Sequence, residues 1–186
     1  VGAIHFYMWE DINPAQGSYN WDVIDRQLAK EASLKVTLRD GTEIPKPVVI
    51  QVMAHLSSAP NYKATFYDGT PGWVYRRIDA ENPGDPRPVV GGKTVGHKLE
   101  GCGGVAVLPM YDSPTWQQAY FDMIRAFGER YNGHPQVTSV VVNTGLDGET
   151  QPVKDWYCDW NTLLDKQASG VRYRFGQFMR GAMDVY

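Results

Sequence analysis

The chain predicts an α/β protein built on parallel strands, and three observations carry that expectation. Strand-like and helix-like segments alternate along it. The strand-like segments Val48-Val-Ile-Gln-Val-Met53 and Val137-Thr-Ser-Val-Val-Val142 are continuous apolar or β-branched runs, the pattern of strands buried on both faces. The helix-like segments carry apolar residues at spacings of three and four, so each buries one stripe. Parallel neighbours joined through helices take right-handed crossovers.

Gly2-Ala-Ile-His-Phe-Tyr-Met8 reads as the first strand, and Asn13-Pro-Ala-Gln-Gly17 as a loop punctuated by Pro and Gly. A helix is predicted from about Trp21 to Ser33, with Ile24, Leu28 and Ala32 on one face and Asn20 as N-cap. Asp40-Gly41, between Lys35–Leu38 and Thr42–Ile44, signals a hairpin, and Pro45 and Pro47 end that excursion. The second strand is Val48–Met53. Residues 54–112 are rich in Gly, Pro, Asp and Tyr and read as one long active-site loop. Within it a short helical turn is expected at Trp73–Tyr75 and a small hairpin around Gly91-Gly92. Gly91-Gly-Lys-Thr94 falls short of a phosphate loop, because Arg87 stands where the first glycine belongs. Ser113 caps the next helix, with Pro114 at its first position, a stripe of Tyr120, Ile124, Phe127 and Tyr131, and Asn132-Gly133 as its stop. The third strand, Val137–Val142, follows. The last helix, roughly Trp160 to Met183, carries Leu164, Ala168, Val171, Phe175, Phe178 and Ala182. Eight strands of a closed barrel need about 250 residues. The alternatives are therefore a small open sheet or part of a larger barrel, and a start inside a strand favours the second.

Composition narrows the function classes. The chain has 186 residues, 42% hydrophobic and 21% charged, enough for one domain with a core. A net charge of −3 offers no basic face for nucleic acid or an anionic membrane. There is no run of about 18 apolar residues to span a bilayer, and no targeting segment is expected. The 6 Trp, 11 Tyr and 6 Phe suit sugar stacking as well as core filling, and composition favours the core. Cys102 and Cys158 are too few for a disulfide framework or a zinc site, although one disulfide remains open. No pair of histidines or acids has metal-ligand spacing, so neither metal nor cofactor is expected. No nucleophile elbow argues for acyl transfer.

The third strand leads to the strongest chemical signal. Beyond Val142 the chain breaks at Gly145 and Gly148 and ends on Glu149. Glycines there allow a sharp turn and close approach to a ligand, and a carboxylate at a strand's carboxyl end stands where α/β folds place catalytic groups. The alternative is a strand followed by a solvated acidic turn.

Several segments in shared order resemble the catalytic barrel of retaining glycoside hydrolases, nearest to the β-galactosidase-like proteins around family 42, in the clan with two catalytic glutamates. Trp9-Glu-Asp-Ile-Asn-Pro14, Gly17-Ser-Tyr-Asn-Trp21 and Ile24-Asp25 are similar to the segment after that group's second barrel strand. Thr70-Pro-Gly-Trp-Val74 is similar to its loop after the third. Tyr111-Asp-Ser-Pro114 and Phe127-Gly-Glu-Arg-Tyr-Asn-Gly-His-Pro135 are similar to its next helix. The resemblance covers most of residues 3–150. It implies a partial (β/α)8 TIM barrel, roughly strands two to four with their helices, with residues 1–186 one fragment of a single barrel domain and residues 54–112 a long loop insertion. It implies Glu149 as general acid/base in hydrolysis of β-linked glycosides with retention, by the intact parent. The nucleophile of that clan lies on the seventh strand, outside this chain, so the fragment by itself is expected to be inactive. The chain departs from the pattern at Gly148, where the clan has Asn, and at Asn13, where it has Glu.

Retention needs two carboxyl groups about 5–5.5 Å apart. Asp147, only two residues from Glu149, is not positioned to be the second. It is kept as a substrate-binding candidate, with a turn-forming role favoured. Trp9 and Trp73 are candidates for sugar stacking, with packing the alternative. His5, Gln51 and His55 on or just after the first two strands, and Asn143 on the third, are candidates to hydrogen-bond sugar hydroxyls, with a structural role the alternative for the histidines. His97 is expected in a loop without partners, and His134 as a structural group before the third strand. The expected partner is a carbohydrate. The competing readings are a non-catalytic carbohydrate-binding α/β domain and a purely structural one.

Overall fold

The structure, a computed structural model, describes residues 2–57, 66–101, 104–141, 144–148 and 171–185. β1 (Ala3–Met8) runs into a single-turn helix, α1 (Trp9–Ile12), and then into α2 (Asp22–Ala32). α2 buries Ile24, Leu28 and Glu31. Its N-cap is Trp21, one residue after the expected Asn20, and no side chain caps it; the backbone N–H of Asn20 ties the preceding loop to Ile12 O at 2.8 Å. β2 (Lys35–Thr37) and β3 (Glu43–Pro45) form the hairpin around Asp40-Gly41, where Asp40 Oδ1 accepts the Thr42 N–H at 2.9 Å. β4 (Val48–Met53) is the second long strand.

The described parts of residues 54–112 hold more regular structure than the one helical turn and one hairpin expected in a long loop. β5 (His55–Leu56) pairs with β6 (Tyr67–Asp68), and α3 (Gly72–Glu81) is a ten-residue helix rather than a single turn. It is held because Val74, Tyr75 and Ile78 are buried on one stripe. β7 (Val89–Val90) and β8 (Lys93–Thr94) form a hairpin whose two loop residues, Gly91 and Gly92, both have positive φ, the tight turn that glycine permits. This is a strand-to-strand turn, not the strand-to-helix turn of a phosphate loop. β9 (His97–Gly101) and β10 (Gly104–Leu108) make a third hairpin.

α4 (Pro114–Tyr131) starts at Ser113, whose Oγ accepts the Trp116 N–H at 3.3 Å, and buries Tyr120, Ile124, Phe127 and Tyr131. β11 (Val137–Val141) follows, then a 3₁₀ turn (Leu146–Gly148) and α5 (Val171–Val185). Leu164 and Ala168 lie outside the described residues, while Phe175, Phe178 and Ala182 are buried.

β1, β4 and β11 form a parallel sheet with β4 in the middle. Val48, Ile50 and Val52 face the helices and are 0–2% exposed. The main core lies between them and α2, α3, α4 and α5. Its centre is an aromatic cluster. Trp9 meets Trp116 and Tyr120 edge-on at 5.4 and 5.2 Å, Trp116 stacks on Tyr120 at 5.3 Å, and Phe178 and Tyr111 close the group. Each such contact adds about 0.5–1.5 kcal/mol beyond area burial. A second, smaller core of Phe66, Val95, Leu99, Val107, Leu108 and Leu146 gathers the insertion hairpins over the carboxyl end of the sheet. The other face is bare near the amino ends: Ile4 and Phe6 are 48% and 54% exposed. Among the described residues β1 and β11 have β4 as their only neighbour in this sheet.

Gly96 marks where the insertion meets the chain before α4. A Cβ there would lie 2.4 Å from Met110 N and 2.7 Å from Leu108 O, both backbone atoms, whereas one at Gly84 would meet nothing within 4 Å. Gly96→Ala is therefore expected to lower unfolding free energy by about 1–3 kcal/mol. Gly84→Ala should leave it nearly unchanged, both read by urea denaturation.

Candidate functional site

The loops that leave the carboxyl ends of β1, β4 and β11 meet at one end of the sheet. After β11, Leu146 is fully buried in the second core, and Asp147 adopts a left-handed conformation (φ 54°, ψ 24°) that Asp tolerates better than most residues. Asp147 Oδ1 accepts the Ser57 N–H at 2.7 Å, so the turn is pinned to the chain just past β4 and β5. Glu149 and Asn143 lie outside the described residues, as do Cys102 and Cys158.

A polar cleft of about 490 Å³ opens beside the ends of β1 and β4, lined by Glu10, Tyr67, Thr70, Arg76, Lys93 and Thr94, with Gly72 and Gly92 at its rim. Glu10 follows β1 directly. Its carboxylate accepts from the Tyr67 hydroxyl on one oxygen and from the Lys93 ammonium on the other. Lys93 also donates to the Tyr67 hydroxyl at 3.2 Å and stands 4.4 Å from the centroid of its ring. Burial, then the neighbouring Glu10 charge, pushes the Asp11 carboxyl up, against the opposing effect of Lys93. Below the cleft lies a fully buried polar node. Asp68 accepts the Thr70 N–H at 3.0 Å, the Gly96 N–H at 2.9 Å and the Tyr75 hydroxyl. Thr70 Oγ1 in turn accepts from Trp116 Nε1 at 2.9 Å. Burial pushes the Asp68 carboxyl up, although all these donors pull the other way.

The residues singled out from the sequence are not all brought to this end. Trp9 is fully buried, its ring covered by Trp116 and Tyr120 and its Nε1 donating to Asn13 Oδ1 at 3.1 Å, so it fills the core rather than facing a sugar. Asn13 closes the following loop through Ala15 O and Ser18 O. Trp73 is half-buried and donates to Asn13 O at 3.0 Å. His55 is fully buried; Nε2 donates to Val107 O at 3.2 Å and Nδ1 accepts from the Tyr111 hydroxyl at 3.2 Å. Gln51 is buried on the sheet face away from the helices. His5 belongs to the opposite face, since it pairs in register with Ile50 while Phe6 pairs with Gln51. His5 contacts Glu31 Oε1 of α2 at 3.0 Å, with Lys46 Nζ 3.0 Å from the other oxygen. His97 is a strand residue paired with Asp112 at 2.8 Å rather than a partnerless loop group. His134 stands before β11, where its O accepts the Val137 N–H at 3.1 Å.

A cleft of about 800 Å³ lies at the amino ends of the strands, between Leu28, Ala32, Pro47, Tyr131 and Pro135. Its walls are mainly apolar and it is remote from the loops that carry chemistry in parallel α/β folds, so size does not make it the better candidate. Among the described residues no group of three or more His, Cys, Asp or Glu is placed to hold a metal ion, and no helix is long and apolar enough to cross a membrane. Comparisons with family models, with curated proteins and with solved structures return no match for the chain.

Sequence reasoning missed Glu10, Tyr67, Arg76 and Lys93. Glu10 sat inside a quoted motif and Lys93 inside a turn weighed only for phosphate. Their contact spans 83 positions, beyond the reach of local pattern.

The Glu31 cluster yields a pH prediction. First of all the Lys46 ammonium, opposed by burial and helped by Gln27 and His5, holds the Glu31 carboxyl below its ordinary value of 4.5. A carboxyl depressed in the folded state stabilises fully above its unfolded value and loses that stabilisation as pH falls through the folded one. Glu31→Gln should therefore be less stable than the parent chain at pH 7, and the gap should narrow as pH falls below 4.5 in urea unfolding series.

Proposed function

We propose that the chain is part of the catalytic barrel of a retaining β-glycoside hydrolase, in which Glu149 is the general acid/base of the intact protein. The observation that carries this reading is the pinned strand end. Three parallel strands present their carboxyl ends side by side, and the turn just before Glu149 in sequence is fastened to the chain beyond the central strand, past β5, by the Asp147–Ser57 bond. Parallel barrels place their catalytic groups at that end. Two further features support a larger barrel. β1 and β11 each have a side that pairs with no described strand, and Ile4 and Phe6 present apolar surface on the face away from the helices, which in a barrel would be filled with layered side chains.

In this reading Glu149 protonates the departing glycosidic oxygen and later takes a proton from water, while a second carboxylate outside this chain attacks the anomeric carbon. Asp147 is a positioning residue: its carboxylate holds the turn through Ser57. A non-catalytic sugar-binding domain would use the same end of the sheet. The burial of Trp9 removes one of the two rings that such a stacking platform would need.

The test uses the intact protein and an aryl β-glycoside. Glu149→Gln should lower turnover by about 10²–10⁴, the usual contribution of general acid/base catalysis. Proton NMR of the first-formed product should show the β anomer. Unchanged turnover in the variant removes the acid/base assignment, and an α product removes retention.

A further inference from the structure

We propose that the cleft of Glu10, Tyr67, Lys93 and Arg76 is a subsite for an uncharged sugar ring, held through a pair of neighbouring hydroxyls. The proposal rests on the sugar-cleaving reading and assigns to it residues that the sequence did not. Its volume of about 490 Å³ falls in the range of small-ligand sites, roughly 300–1,000 Å³. Glu10 brings it to the carboxyl end of β1, the end of the strands at which parallel α/β folds bind ligands.

The three inner groups fix one another. The Glu10 carboxylate is held on both oxygens, and the Lys93 ammonium is set by Glu10, by the Tyr67 hydroxyl and by the face of the Tyr67 ring. The side chains of Lys93 and Glu10 are only 20% and 26% exposed, so their geometry is far more restricted than that of a surface ion pair. Hydrogen-bonding capacity remains on both sides. Each Glu10 oxygen accepts one bond and can accept another, and one of the three Lys93 N–H groups is uncommitted among the described residues. Arg76 lines the same cleft with no hydrogen-bond or ion-pair partner among the described residues. A hydroxyl matches this set because it donates to a carboxylate and accepts from a cation at once. Two hydroxyls on adjacent carbons can reach Glu10 and Lys93 together.

Charge decides between a neutral and an acidic sugar. Within the lining Glu10 and Lys93 cancel and Arg76 adds one positive charge, which Asp11, outside the lining but close enough to interact with Glu10 and Lys93, offsets, so the cleft and its immediate surroundings are formally neutral. A uronate or sulfate would gain from the cations and lose comparably to the carboxylates, whereas a neutral polyol meets no opposing charge.

The experiment titrates the 186-residue chain with methyl β-galactopyranoside, methyl β-glucopyranoside and methyl β-glucuronide, followed by ¹⁵N chemical-shift changes. Saturable binding of a neutral glycoside is expected, weakened about tenfold by Lys93→Ala and by Glu10→Gln, as for loss of one charge-assisted hydrogen bond. Arg76→Ala, at an exposed position, should weaken it in the same direction with the fold intact, and thermal midpoints check folding for every variant. Absence of saturable binding, an affinity untouched by Lys93→Ala and Arg76→Ala in folded protein, or tighter binding of the glucuronide would each overturn the proposal. Binding is read apart from turnover. A neutral sugar bound here by an intact protein that cleaves nothing defeats the hydrolase reading alone, while turnover with a silent cleft defeats the subsite alone.

Discussion

The Asp68 carboxylate, with no exposed surface, is the constraint on which the carboxyl end of this molecule is assembled. It collects the Thr70 N–H that precedes α3, the Tyr75 hydroxyl on α3, and the Gly96 N–H between the second and third insertion hairpins. Thr70 passes the connection on to Trp116 in α4. Four segments are thereby connected through a single side chain, in addition to the apolar contacts that α3 and α4 make in the main core. A buried acceptor with its donors in place is tolerable, and the same group stripped of one donor is costly, which makes such a node an all-or-none element. The cleft of Glu10, Tyr67 and Lys93 inherits its geometry from this node, because Tyr67 is the residue before Asp68 and the Lys93 hairpin turn leads to Gly96.

The aromatic content, 12% of the chain, is spent largely beneath the helices. Trp9, Tyr111, Trp116, Tyr120 and Phe178 form one contiguous cluster, tied at its edge by the Thr70 hydroxyl. A ring held in such a cluster has no face to offer a ligand. The described cleft beside β1 is accordingly lined by charged and hydroxyl groups on short connecting segments.

How much of this was legible follows from the range of each interaction. β4 and β11 were readable because their β-branched runs are local, as were the Ser113 cap, the Asp40-Gly41 hairpin and the Gly91-Gly92 turn. Within residues 54–112 the short stripe of α3, Val74, Tyr75 and Ile78, spans little more than one turn, and the described hairpins are ordered by the Asp68 node and a small core assembled from distant segments, neither of which leaves a period in the sequence. Asn20 has the residue type of a cap for α2, yet the helix is entered one residue later, at Trp21, without a capping side chain. His5 and Gln51 both looked available to one site. Alternation places them on opposite faces of the sheet once the register is known, and register depends on a neighbour that sequence does not show. The candidate cleft was the least legible part, since its charge pair joins residues 83 positions apart.

The bare half-face of the sheet, with Ile4 and Phe6 beside the side of β1 that pairs with no described strand, also governs how the chain behaves at high concentration. An open strand edge next to apolar side chains is a template for pairing with another copy. Mutual repulsion is the main brake on that process, and a net charge of −3 supplies little of it. The brake vanishes close to the isoelectric point near 5.8, so the same molecule is most adhesive in mildly acidic buffer and most dispersed well above neutrality at low ionic strength.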